Sequence, residues 1–91
     1  MGITVALTGM LTCTPQDAAA VRDALPQHIT LSRAEPGCLH FEVYETAPCV
    51  FEVSERFVDR AAFDAHQART QASDWWAVTR HLPRDFEVVD E

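Results

Sequence analysis

Two alternating runs, Cys38-Leu39-His40-Phe41-Glu42-Val43-Tyr44-Glu45 and Cys49-Val50-Phe51-Glu52-Val53-Ser54-Glu55-Arg56-Phe57-Val58, stand either side of Thr46-Ala47-Pro48. In the first, Leu39, Phe41 and Val43 share one face and His40, Glu42 and Tyr44 the other. In the second, Phe51, Val53 and Phe57 share a face. Period two predicts strands, and so short a connection predicts that they pair antiparallel.

Working outward, Glu35-Pro36-Gly37 is a stop and turn before this hairpin. Upstream, Thr14-Pro15-Gln16-Asp17 offers an N-cap hydroxyl, a proline at the first helical position and a carboxylate in the first turn. Ala18, Val21, Leu25 and Ile29 then recur at helical spacing, and Pro26 is expected to kink or loosen that helix. Ahead of it, Ile3, Val5, Leu7, Leu11 and Cys13 alternate with Thr4, Ala6, Thr8, Met10 and Thr12, which predicts a first strand. Downstream, Asp59 can cap a helix through Ala62, Phe63, His66 and Thr70. Ser73 can cap a further piece carrying Trp75, Trp76, Val78 and Leu82, which Pro83 ends. Phe86 and Val88 mark a last strand.

The order β, α, β, β, α, β predicts an α+β fold, the ferredoxin-like split βαβ sandwich with an antiparallel sheet, as one domain over residues 1–91. Its helices cover one sheet face. The threonines of the first strand and the aromatic and apolar members of the others suggest that the second face meets another sheet. A chain of 91 residues buries only roughly 64% of its unfolded surface, so assembly into a homodimer is expected.

Fourteen acidic against seven basic residues give a net charge of -7, which repels a phosphate backbone. Neither nucleic acid nor a membrane is expected as a partner. Every basic side chain is Arg, and the absence of Lys excludes Schiff-base chemistry. Gly at 2, 9 and 37 alone cannot write a P-loop or a dinucleotide fingerprint. Cys13, Cys38 and Cys49 include no close pair, so reduced thiols in a cytoplasmic protein are expected rather than a zinc set or a disulfide framework.

Glu55 shares the parity of Phe51, Val53 and Phe57, which aims a carboxylate into an apolar layer. His66 follows Phe63 by three residues and Ala62 by four, hence lies on the helical face that meets the sheet. Two readings stay open. The pair can satisfy each other between sheet and helix, or form a cavity wall where the carboxylate holds one imidazole nitrogen and the other faces a ligand. Trp75 and Trp76 diverge by about 100°, so one faces inward, and Trp75 is taken as the inward indole, core or aromatic wall. Phe51, Phe63 and Tyr44 complete the candidate substrate-binding residues, with interface packing the competing role for Tyr44. Arg56 and Arg69 are expected to be solvated or paired. His28 and His81 are expected to be exposed, and no metal-ligand spacing is present.

The run Ala34-Glu35-Pro36-Gly37-Cys38-Leu39-His40-Phe41-Glu42-Val43-Tyr44, then Phe51-Glu52-Val53-Ser54-Glu55-Arg56-Phe57 and Asp59-Arg60-Ala61-Ala62-Phe63-Asp64-Ala65-His66, resembles the antibiotic biosynthesis monooxygenase family, quinol monooxygenases included. The resemblance implies a dimeric α/β-barrel type of assembly. It also implies oxidation of a phenolic, quinol or polyketide-type molecule by O₂ without flavin, haem or metal. On that resemblance His66 is the base or oxyanion partner, Glu55 its orienter and Trp75 the aromatic wall. Related haem-degrading enzymes use an Asn, Trp and His set, and this chain contains no Asn. A non-catalytic small-molecule binding domain and a cofactor-free isomerase are the alternatives on the same scaffold.

Overall fold

The computed structural model describes residues 3–91. β1 (Val5–Thr12), α1 (Ala18–Arg33), β2 (Cys38–Ala47), β3 (Val50–Phe57), α2 (Arg60–Gln71), α3 (Asp74–Thr79) and β4 (Arg84–Asp90) follow one another along the chain. The sheet order is β2-β3-β1-β4 and every neighbouring pair is antiparallel. This is the α+β ferredoxin-like arrangement expected from the alternation of periods. Val5, Leu7 and Leu11 from β1, Phe41 and Val43 from β2, and Phe51, Val53 and Phe57 from β3 form the buried sheet face. Ala18, Val21, Phe63 and Trp75 close it from the helical side.

Local chemistry sets the boundaries. The Asp59 side chain accepts a hydrogen bond from the Ala62 amide at 2.8 Å and starts α2, and Ser73 does the same for α3 through Trp76. α1 begins later than its sequence signal. Thr14 Oγ1 accepts from the Asp17 amide at 3.3 Å and closes a preceding turn, so the helix starts after Asp17, whose side chain makes no cap bond. α1 stays continuous through Pro26.

Two further expectations are corrected. Leu39 does not join Phe41 and Val43: β2 advances from Cys38 to His40 while β3 advances from Phe57 to Arg56, so Leu39 is the extra residue of a bulge and is 54% exposed. The uncovered sheet face is not dominated by apolar and aromatic residues either. Its register sets Met10 beside Asp85 and Glu52, with Tyr44 opposite Glu52, and Thr8 beside Glu87 and Ser54.

Gly9 stands in the buried-face row between Val53 and Phe86. A Cβ there would collide with the Asp85 carbonyl oxygen and the Phe86 ring, so β4 approaches β1 this closely only because residue 9 has no side chain. Gly37 has φ +90°, which lets the chain turn tightly from α1 into β2. No helix among the described residues is long and apolar enough to cross a membrane.

Candidate functional site

α2 places His66, Arg69 and Thr70 within one helical turn, at spacings of three and four residues, so the three side chains share a face. The His66 ring is wedged between aromatic rings of the sheet, with centroids 4.9 Å from Phe57 and 5.4 Å from Phe41. Its Nδ1 lies 2.8 Å from Glu35 Oε1. Glu35 reaches it from the turn that ends α1, where its amide donates to the Ser32 carbonyl. Arg69 Nε donates to the other Glu35 oxygen and Arg69 Nη2 donates to Ser32 Oγ at 2.9 Å. A carboxylate already held by a guanidinium can only accept from the imidazole, so the proton of neutral His66 resides on Nδ1. Nε2 is left with its lone pair.

That lone pair faces Thr70 Oγ1 at 3.3 Å and Glu55 Oε1 at 3.5 Å. The parity of β3 turns Glu55 inward, as its spacing with Phe51 and Phe57 required, and it is only 6% exposed. Its Oε1 has no hydrogen-bond partner among the described residues. Burial, reinforced by the charge of Glu35, pushes the Glu55 carboxyl up to about 8, so at neutral pH it is largely the protonated acid. For His66, burial lowers the imidazole below its ordinary range, while the Glu35 hydrogen bond and charge oppose that change. Both shifts favour the neutral forms, a protonated carboxyl beside an uncharged imidazole whose Nε2 accepts from the Thr70 hydroxyl. The carboxylate that orients the ring is Glu35, where the sequence pointed to Glu55.

Both groups open onto one cavity of about 170 Å³ between the sheet and the helices. Leu7, Leu11, Val43 and Val53 give it an apolar floor, and Trp75 and His28 also line it, their rings stacked face to face with 4.8 Å between centroids and 5° between planes. The half-buried Gln67, Trp76, Arg84 and Phe86 rim it where α2 and α3 meet β4. Arg84 lies over both rim aromatics, 5.1 Å from the Trp76 centroid and 6.0 Å from that of Phe86.

The structure thus brings His66, Glu55 and Trp75 together. Phe51 and Phe63 are buried behind this layer, Phe63 edge-on to Phe57 at 5.8 Å, and neither lines the cavity. Tyr44 points to the uncovered sheet face and is 60% exposed, because its parity is opposite to that of Phe41 and Val43. Arg69 is paired with Glu35, and Arg56 with Glu91 at 2.8 Å. His81 is exposed and pairs with Asp17. His28 corrects its expectation: it is 5% exposed, and burial, with the charges of His66 and Arg69 adding, holds its imidazole down to about 3. The signal was present, since His28 and Ser32 continue the stripe Val21, Leu25 at helical spacing. Glu35 carried no local signal, because its partner His66 is 31 residues away. Among the described residues no three His, Cys, Asp or Glu side chains converge as a metal-ligand set.

Over residues 4–78 the sequence matches the family described as antibiotic biosynthesis monooxygenase. No curated protein matches the chain in sequence. Solved structures with the same fold include a protein of unknown function, NE2512 of Nitrosomonas europaea, with 29% identity over 98% of this chain and 89% of that one and a TM-score of 0.73. Rv0793 of Mycobacterium tuberculosis is 26% identical over 94% of this chain and 92% of its own, with a TM-score of 0.74. A third structure, named an antibiotic biosynthesis monooxygenase, superimposes with a TM-score of 0.78 at 23% identity, over 96% of this chain and 95% of that one.

Proposed function

The chain belongs to the antibiotic biosynthesis monooxygenase family, and on that premise we propose that its cavity binds a phenolic, quinol or polyketide-type molecule and oxidises it with O₂ without a cofactor. One observation carries the reading. A buried imidazole whose Nε2 faces only the Thr70 hydroxyl and the Glu55 carboxyl, and that carboxyl, itself buried and raised toward its protonated form, line the same small cavity together with the aromatic side chain of Trp75. Two titratable groups pushed apart by their surroundings supply a base and an acid at one pH.

His66 Nε2 takes the proton of the substrate hydroxyl, and Glu35 stabilises the imidazolium from the far side of the ring. The phenolate transfers one electron to O₂, giving an aryloxyl radical and superoxide. Their recombination forms a carbon–oxygen bond at a ring carbon that bears hydrogen. The peroxide takes a proton, for which the Glu55 carboxyl is placed. The O–O bond then breaks as the proton of that carbon leaves, giving a carbonyl and one water. One oxygen atom enters the product and the other leaves in water, so phenol plus O₂ balances as quinone plus water. The protein's contribution is to exclude water, orient the ring and move protons at Nε2 and at Glu55.

Mass spectrometry of ligand carried through purification, followed by O₂ uptake with a panel of quinols and anthrones, tests this. Turnover is expected with at least one phenolic class, and His66→Ala is expected to lower the single-turnover rate about 10²-fold or more with a smaller loss of binding. Wild-type rates in folded His66→Ala would overturn the assignment. Ligand binding with no O₂ consumption across the panel would leave a binding domain instead.

A further inference from the structure

We propose that Cys13 and Cys49 are a redox site: a peroxide converts them to a reversible disulfide that staples the end of β1 to the turn between β2 and β3. Neither cysteine lines the cavity described above, so the site is independent of what that cavity binds.

Far apart in sequence, the two residues meet because the ladder between β1 and β3 runs one rung past the strand ends. Thr12 pairs with Val50, and beyond them the Cys13 amide donates to the Cys49 carbonyl at 2.9 Å. Residues directly opposite in an antiparallel ladder hold their Cα atoms about 4.5–5.5 Å apart, inside the range a disulfide spans. The alternation of the ladder returns both side chains to the helix-covered face. Cys13 is buried there in the core, and the half-buried Cys49 packs against it. Burial, with the adjoining Cys49 side chain adding, pushes the Cys13 thiol up to about 11. Both thiols are free in the structure.

The turn holds Cys49 in place. Pro48 and Cys49 are the two residues between β2 and β3, and Cys49 has φ +67°, a left-handed conformation that turns usually give to Gly or Asn. Its amide donates to Glu45 Oε2 at 3.0 Å, and the same carboxylate accepts two hydrogen bonds from Arg22, at 2.8 and 2.6 Å. A strained residue persists only where its surroundings fix it, and here they keep the Cys49 side chain against Cys13.

Cys49 reacts first, because the thiolate is the nucleophile and the buried Cys13 is almost wholly protonated at neutral pH. The Cys49 thiol gives its proton to solvent and its sulfur attacks hydrogen peroxide. The O–O bond breaks, leaving a sulfenic acid on Cys49 and a hydroxide that takes up a proton as water. The Cys13 sulfur then displaces the sulfenic hydroxyl, losing its own proton as the S–S bond forms and a second water leaves. Two thiols are oxidised to one disulfide, and one peroxide is reduced to two waters. A bond anchored in a strained, half-buried turn is readily reduced, so an external dithiol restores both thiols.

The test treats the reduced, purified full chain with a few equivalents of hydrogen peroxide, then alkylates and digests it. Trypsin leaves Cys38 and Cys49 in one peptide, between Arg33 and Arg56, so a Glu-specific protease follows. Mass spectrometry is expected to find Cys13 joined to Cys49 and Cys38 alkylated. Because the bond closes the loop from residue 13 to residue 49, Tm is expected to rise by about 5–15 °C and to return on adding dithiothreitol. Cys38→Ser is expected to give the same bond and the same rise, and Cys49→Ser to give neither. A bond that includes Cys38, a crosslink between chains in place of the internal one, Cys49 carried to sulfinic acid with Cys13 still alkylated, or an oxidised chain whose Tm is unchanged or lower would each overturn the proposal. These outcomes are read on the wild-type chain, so they decide the matter even if Cys49→Ser does not fold.

Discussion

At the scale of single residues, Glu55 and His28 tie the site to stability through opposite signs. Burial raises the Glu55 carboxyl from 4.5 to about 8, so between those values the folded chain holds a proton that the unfolded chain has released. Stability must fall as pH rises across that window. His28 is displaced downward from 6.5 to about 3, so the unfolded chain holds the extra proton there and stability must fall as pH drops. Glu55→Gln keeps the shape and cannot ionise. It is expected to match wild type near pH 5 and to gain on it by up to about 1.4 kcal/mol for each pH unit toward 8, read from urea denaturation at several pH values. Parallel curves for the two proteins would show that Glu55 ionises in the fold at no cost. Glu35 is the other sensitive position. Glu35→Ala strips the partner from a buried imidazole and from a largely buried guanidinium, and is expected to cost about 2–4 kcal/mol. Glu35→Gln, which still accepts from the ring, is expected to recover part of that loss.

At the scale of elements, the site depends on how closely β4 approaches β1 and on where α2 and α3 begin. Gly9→Ala places a methyl group against the Asp85 carbonyl, the Phe86 ring and the Phe86 Cα, and the backbone atoms of β4 among these cannot yield without moving the strand. A loss of about 2 kcal/mol or more is expected, together with weaker ligand binding, since Phe86 is part of the cavity rim. A thermal melt of Gly9→Ala within a degree or two of wild type would contradict the close approach. The helix starts differ among themselves. Asp59→Ala and Ser73→Ala each remove a side-chain cap and are expected to cost about 1 kcal/mol. Asp17→Ala removes no cap from α1, and its exposed pairing with His81 is worth less than that.

At the scale of the whole molecule, the helices cover one face of a four-stranded sheet, and Met10, 49% exposed, and Tyr44 lie on the other. We expect a second copy to cover that face, as a chain this small gains most by burying exposed sheet. Light scattering at micromolar concentration should give twice the chain mass. Met10→Glu would set a third carboxylate beside Glu52 and Asp85 and should shift the population toward monomer. A wild-type protein that stays monomeric would rule this assembly out.

The order of elements and the inward parity of Glu55, Phe51, Phe57 and His66 were legible in the sequence, because periods of 2 and 3.6 residues report which side of a strand or helix meets the core. The caps of α2 and α3 were legible for the same local reason: Asp59 and Ser73 each satisfy an amide three residues away. The bulge at Leu39 was not, since an extra residue in a ladder is defined only by the strand beside it. Nor was the partner of His66. The notch that holds the imidazole is closed by Glu35 from across the molecule, and the protonation of Glu55 follows from how deeply the packed chain hides it. Local periodicity determined which side chains face inward. Only tertiary packing decided which of them meet, how much water they lose and where the proton therefore resides, because burial and pairing belong to residues distant along the chain.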